Sequence, residues 1–280
     1  MTQFVLNNQW VSLEELERVL KNSTEVVLGP QAKLAIETGF SFLQAKVKEE
    51  GAIYYGINTG FGSLCNTVIS TEDLNQLQVN LIRSHACGVG AEVPTHLVKR
   101  MLLLKVIALS KGFSGVQLAT VERLLFLYNN NLIPVVYEQG SLGASGDLAP
   151  LAHLCLPLIG EGEVHVNGER MPGNKLHANY GLEPITLQAK EGLALLNGTQ
   201  FMNAYGTYAV STGHTLLKEG LKIAALSLEA YDGRQEPFQA NVNELRKQHG
   251  QIEVATTMRG LLKNSARIKN HVQDPYSFRC

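Results

Sequence analysis

QFMNAYGTYAVSTGHTLLKEGLKIAALSLEAY, residues 200–231, is the stretch on which the fold class turns. It holds no proline, it is rich in Ala, Leu and small residues, and its apolar positions recur with helical spacing, so it reads as one long helix. Gly206, Gly213 and Gly220 interrupt it only mildly. Residues without side chains at such intervals let a neighbouring helix approach closely. A helix of this kind is material for a bundle, and the expected class is mainly α.

The same spacing recurs upstream. From Thr95 to Ser110 apolar residues cover nearly every face, as in a buried helix, while Ser114 and Gln117 read as caps for a second helix that runs out at Asn129, Asn130, Asn131 and Pro134. These two are expected to pack antiparallel, with Leu103, Ile107 and Leu124 buried, as is Leu217 of the long helix. Between Glu72 and Ser84 the positions of Leu74, Leu77, Leu81 and Ile82 are helical, and Gly88 and Gly90 break the pattern. Nearer the start, Ser12 with Glu15 forms a capping-box pattern ahead of Leu16 and Leu20, with an end near Asn22. Pro30 opens another helix, carrying Leu34, Ile36, Phe40, Phe42 and Leu43 and stopping at Gly51. EVHVNGERM, residues 163–171, reads as a hairpin turned at Asn167 and Gly168 and lying as a surface flap. With no internal repeat and no low-complexity linker, the boundary expected is near Asn197. It separates a globular head, 1–198, with small β-hairpin elements, from the start of a long-helix bundle, 199–280.

Composition narrows the function. A formal net charge of -1 over 280 residues, without a block of like charges, leaves no electrostatic footprint for nucleic acid or an anionic membrane surface. The first residues, MTQFVLNNQW, lack the basic start and apolar run of a secretion signal, and no stretch approaches the ~20 apolar residues of a membrane span. A cytoplasmic protein with small-molecule or protein partners is expected. Cys65, Cys87, Cys155 and Cys280 lack metal-ligand spacing, so free thiols are expected rather than disulfides or a metal site.

The chemistry concentrates in GSLGASGDLAPLAH, residues 140–153. One reading is a glycine-rich turn at a helix N-terminus, an anion-binding nest, although it has neither the Lys of a phosphate-binding loop nor the spacing of a dinucleotide fingerprint. The other starts from Gly146: a residue without a side chain can swing its amide nitrogen onto the carbonyl carbon of Ala144 where the loop is tightly bent. Loss of one water on closure and a second from the Ser145 hydroxyl leaves an exocyclic methylidene, a strong electrophile.

Here the chain resembles the aromatic amino acid ammonia-lyase and aminomutase family, whose Ala-Ser-Gly triad becomes 4-methylideneimidazol-5-one. YGINTGFG at 55–62, RSHACGVG at 83–90, EGLALLNGT at 191–199 and QDPYSFRC at 273–280 are similar to family segments in the same order. The resemblance implies a fumarase/aspartase-like helical fold and a prosthetic group made from Ala144, Ser145 and Gly146, with no external cofactor and no metal. It implies Tyr55 as catalytic base, Asn197 bonding the ring or the substrate, and Arg279 clamping the substrate carboxylate, with Tyr276 and Gln273 beside it. Asp147 is implied to fix the loop. The Ser84-His85 pair resembles the histidine-specific branch, where a polar pair suits an imidazole because a buried ring nitrogen without a partner costs about 1–3 kcal/mol. The implied activity is conversion of L-histidine to trans-urocanate and ammonia by a homotetramer. A tyrosine or phenylalanine lyase, an aminomutase, and a non-catalytic helical assembly keeping the motifs are the alternatives. Family chains are nearly twice as long, so the resemblance also implies an N-terminal portion, with further bundle helices and an acidic active-site residue beyond it.

Overall fold

A computed structural model describes residues 3–49, 53–60, 69–70 and 73–266. The chain divides into two compact units, Met1–Tyr208 and Ala209–Cys280.

The first unit opens with a parallel pair, β1 (Phe4–Leu6) and β2 (Val26–Leu28), on either side of α1 (Leu13–Lys21) in sequence. The hydroxyl of Ser12 accepts from the Glu15 amide at 3.2 Å, and the Glu15 carboxylate accepts from the Ser12 amide at 3.0 Å. This is the expected capping box, and such a cap stabilises a helix start by about 1 kcal/mol. α2 (Pro30–Val47) takes its proline in the first turn, where a missing amide hydrogen costs nothing. It buries Ala32, Ile36 and Leu43 and leaves Leu34 and Phe42 exposed. α3 (Leu74–His85) and β3 (Val89–Glu92) follow.

α4 (Thr95–Leu109) and α5 (Leu118–Asn129) pack on each other in the middle of the core. Leu103 and Leu124 are fully buried as expected, whereas Ile107 is only half-buried. Gln117 stands at the start of α5 but does not cap it, and Ser114 supplies no cap either. The donors there go to a distant carboxylate, because Glu191 accepts from the Gln117 amide at 3.0 Å and from the Thr120 hydroxyl at 2.7 Å.

β4 (Ile133–Pro134) and β5 (Tyr137–Gln139) lead to α6 (Leu148–Cys155) and a 3-10 turn at Leu156–Ile159. β6 (Glu163–Val166) and β7 (Glu169–Pro172) form the expected hairpin, with φ of 52° at Asn167 and 88° at Gly168. It is not a surface flap: β6 also pairs antiparallel with β4, in the order β4-β6-β7, and Val164 is sunk completely into the core. α7 (Gly173–Tyr180), α8 (Glu191–Leu196) and α9 (Gln200–Ala230) complete the run, the last being the long helix read from the sequence. Arg100 of α4, buried in an ion pair with Glu17, also stacks on Tyr208 of α9, 5.7 Å from its ring centre.

The second unit contains the later turns of α9, a 3-10 turn at Glu236–Phe238, α10 (Ala240–Glu244) and α11 (His249–Leu262). It has a small core of its own, Ala225 and Leu228 against Met258 and Leu262, joined by Leu221, Phe238 and Val254. Leu217, expected to be buried, is 53% exposed, and Leu216, Ile223 and Leu226 are exposed with it. Among the described residues nothing lies within 4 Å of a Cβ placed on Gly206, Gly213 or Gly220. The spacing defines an apolar face, but the described residues do not supply its partner.

Candidate active site

The Ala144-Ser145-Gly146 triad lies in a tight bend. Gly143 and Ala144 both make backbone bridges to Gly146, so residues two and three apart face each other. Gly143 and Gly146 have φ of 81° and 97°, in the region that only glycine enters without steric cost. At Gly146 a second constraint applies: an added Cβ would lie 2.6 Å from the Gly198 carbonyl oxygen and 2.9 Å from its nitrogen. Ala144 and Ser145 are exposed and Gly146 is half-buried, because what clamps the loop lies on its downstream side.

That clamp is Asp147, which is buried. Its amide donates to the Gly198 carbonyl at 2.8 Å and its carbonyl accepts from the Leu151 amide at 3.0 Å, starting α6. Its carboxylate accepts from the Met202 amide at 2.9 Å and from the Ser141 hydroxyl at 3.4 Å. Met202 is in the first turn of α9, where free amide hydrogens and the helix dipole favour a negative charge. One residue therefore ties the exit of the bend to the beginnings of two helices, to α6 through its carbonyl and to α9 through its carboxylate.

Gly198 is presented by the turn that ends α8. Asn197 terminates that helix, its amide donating to Leu193 at 2.9 Å, and its side chain is exposed. Two buried charged groups hold α8 in place. Glu191 accepts from Gln117, Thr120 and Gln188; burial pushes its carboxyl above the usual range while these donors pull it back. Lys105 donates to the Ala194 carbonyl at 2.8 Å, and burial lowers its ammonium to about 8. Burial raises the neighbouring Cys155 thiol to about 12, with the Lys105 charge opposing that shift.

Ser84 and His85 close α3. The Ser84 hydroxyl donates to the Leu81 carbonyl at 3.0 Å, and His85 Nδ1 lies 2.8 Å from the same oxygen. A carbonyl only accepts, so Nδ1 carries a hydrogen there, and in the neutral ring Nε2 is then an acceptor. Tyr55, 60% exposed, sits on a turn braced by Asn58, which accepts from the Tyr54 amide at 2.7 Å, and by Thr59, which accepts from the Gly56 amide at 3.1 Å. Asp147 is thus the expected residue that the structure joins to the triad, whereas Tyr55 and Asn197 face outward on turns of their own. Gln273, Tyr276 and Arg279 lie outside the described residues, as do Cys65 and Cys280.

The residues present fit ring closure: the triad is already folded back on itself, and Gly146 fills a space that would reject any side chain. Among the described residues no group of His, Cys, Asp or Glu could hold a metal ion, and no helix is long and apolar enough to cross a membrane. Sequence reading missed Gly198, Lys105, Glu191 and His153, which act on the site through backbone or burial. His153 lay in the quoted triad motif, and Glu191 and Gly198 in the quoted segment at 191–199; Lys105 carried no such signal.

The family described as aromatic amino acid lyase matches residues 11–280. A histidine ammonia-lyase of Streptococcus gordonii is 41% identical over 279 residues, covering 98% of this chain and 54% of the relative. Among solved structures, histidine ammonia-lyase from Trypanosoma cruzi superposes with a TM-score of 0.87 at 34% identity, over 100% of this chain and 53% of that one. Tyrosine aminomutase from Streptomyces globisporus superposes with a TM-score of 0.89 at 29% identity, over 98% of this chain and 55% of that one. The chain spans about half the length of the curated relatives it matches.

Proposed function

Because the chain belongs to the aromatic amino acid lyase family, we propose that the whole protein converts L-histidine to trans-urocanate and ammonia, using a 4-methylideneimidazol-5-one made from Ala144, Ser145 and Gly146. The observation that carries this reading is the clamped bend, in which Gly146 folds back on Ala144 with Asp147 fixed behind it. Closure joins the Gly146 nitrogen to the Ala144 carbonyl carbon with loss of one water, and the Ser145 hydroxyl leaves with the Ser145 α-hydrogen as the second. Once formed, the group supplies an electrophile that makes the substrate amine a good leaving group.

The remaining work falls to side chains. Tyr55 accepts the β-proton, from an exposed turn that a substrate can reach. His85 offers Nε2 to a ring N–H of the substrate, since Nδ1 is committed to Leu81, and Ser84 holds the same carbonyl. Asn197 bonds the ring or the substrate, and Arg279 pairs with the carboxylate through two parallel hydrogen bonds, with Tyr276 and Gln273 alongside. No external cofactor or metal takes part. The working form is a cytoplasmic homotetramer that binds a small-molecule amino acid, with no nucleic acid or membrane partner.

Two measurements test the reading. The intact mass of the whole protein should fall short of the encoded mass by two waters, and Ser145→Ala should abolish that deficit; urocanate should accumulate from L-histidine. Preferred turnover of L-tyrosine or L-phenylalanine, or a β-amino acid product, would move the assignment to the lyases and aminomutases of those substrates. The full encoded mass with no turnover would leave a helical assembly that keeps the motifs.

A further inference from the structure

His153 belongs to α6, the helix that begins directly after the triad, yet its imidazole is spent on a different segment. The Gly88 amide donates to His153 Nε2 at 2.9 Å. Gly88 follows His85 by three residues, in the turn between α3 and β3. The fit is close on every side of this bond. A Cβ on Gly88 would come within 3.0 Å of His153 Nε2, and one on Gly140 within 3.0 Å of the Gly88 Cα. The Tyr137 ring packs edge-on against the imidazole, with centroids 5.1 Å apart and planes at 77°. Next to it, Val89 of β3 is in register with Gln139 of β5, the strand that runs into the triad loop. The segment that carries Ser84 and His85 is therefore joined to both the entrance and the exit of the electrophile loop, and His153 makes the exit-side bond.

We propose that His153 is a positioning residue for substrate recognition: its neutral imidazole, accepting the Gly88 amide hydrogen, sets the distance between the Ser84-His85 pair and the triad. The half-buried site and the lowered basicity that burial confers keep the ring in the accepting form. The geometry of the bond is independent of any reaction, while its role in recognition rests on the lyase reading above. A merely structural histidine would affect folding and catalysis together. One that sets a spacing affects how well substrate is held.

The test compares His153→Leu, which keeps bulk and removes the acceptor, with His153→Gln, whose amide oxygen can accept the same hydrogen, both in the whole protein. Hydrogen–deuterium exchange of the peptide containing Gly88 should accelerate in the Leu variant by about 3- to 10-fold and return towards the parent rate in the Gln variant. With L-histidine, KM should rise by a similar factor, about 3- to 10-fold, in the Leu variant, with kcat changing less, recovery in the Gln variant, and the two-water mass deficit retained in both. Unchanged exchange at Gly88 overturns the proposal. So does an unchanged KM, or loss of the mass deficit in the Leu variant, which would place the effect on formation of the electrophile. Absence of turnover in the parent protein overturns the functional reading instead, and the exchange arm then decides the positioning claim alone.

Discussion

α4 and α9 are both proline-free helices dominated by apolar and small residues, yet they end in opposite surroundings. α4 is covered on nearly every face, so that even Arg100 and Lys105 are buried, each with a partner: the Glu17 carboxylate for one and the Ala194 carbonyl for the other. α9 buries Ala204, Ala225 and Leu228 and turns Leu216, Leu217, Ile223 and Leu226 to solvent. Apolar composition thus forms either helix, while burial depends on which elements return to it from elsewhere in the chain. A charged group can be interior where a partner waits, and a leucine can be exterior where none does.

The largest test of that contrast is truncation on each helix. Leu103→Ala should cost about 2–5 kcal/mol by urea unfolding of this chain, whereas Leu217→Ala should stay within about 0.5 kcal/mol. Equal losses would break the comparison, and a loss at Leu217 confined to a chain extended to the relatives' length would show that the added segment covers α9.

The next effect lies where α9 begins. Asp147→Ala removes the acceptor of the Met202 amide and should cost about 1–3 kcal/mol, with faster amide exchange at the first turn of α9. Asp147→Asn keeps an acceptor but no charge and should lose less; an equal loss would show that charge rather than the hydrogen bond holds the helix start.

A smaller effect, on the order of 1 kcal/mol, should follow the buried pair of α4 and α6. Lys105 loses its proton near 8 when folded and near 10.5 when unfolded, so between those values the unfolded chain holds the extra proton and stability rises with pH. Its contribution is complete above 10.5 and lost as pH falls through 8. Cys155 has the opposite sign: from 9 to about 12 the native thiol keeps a proton that the unfolded one has released, so stability falls. Their sum is a rise from pH 8 to 9, cancellation up to 10.5 and a decline above. Thermal unfolding across this range reads the pattern, and Lys105→Met should abolish the rise and let the decline begin at 9.

The smallest expected change is a gain. Gly213→Ala sits mid-helix with open space around it and should stabilise this chain by about 0.5–1 kcal/mol. A loss of stability would mean that another helix already touches α9 there.

Much of this molecule was legible from neighbouring residues alone. The capping box at Ser12, the first-turn Pro30, the Asn167-Gly168 hairpin and the extent of α4, α5 and α9 each follow from a backbone preference expressed within a few positions. The need for glycine at 146 belongs to the same class, since a positive φ is a local demand. Tertiary structure decided the rest. It exposed Leu217, anchored the hairpin through Val164, turned Gln117 from capping to Glu191, and placed Gly198 against Gly146. These outcomes depend on groups far apart in the chain, and periodicity says which face of an element is apolar without saying what will meet it. Asp147 shows both halves of that rule: its sequence position starts α6, while only the fold brings the start of α9 to its carboxylate.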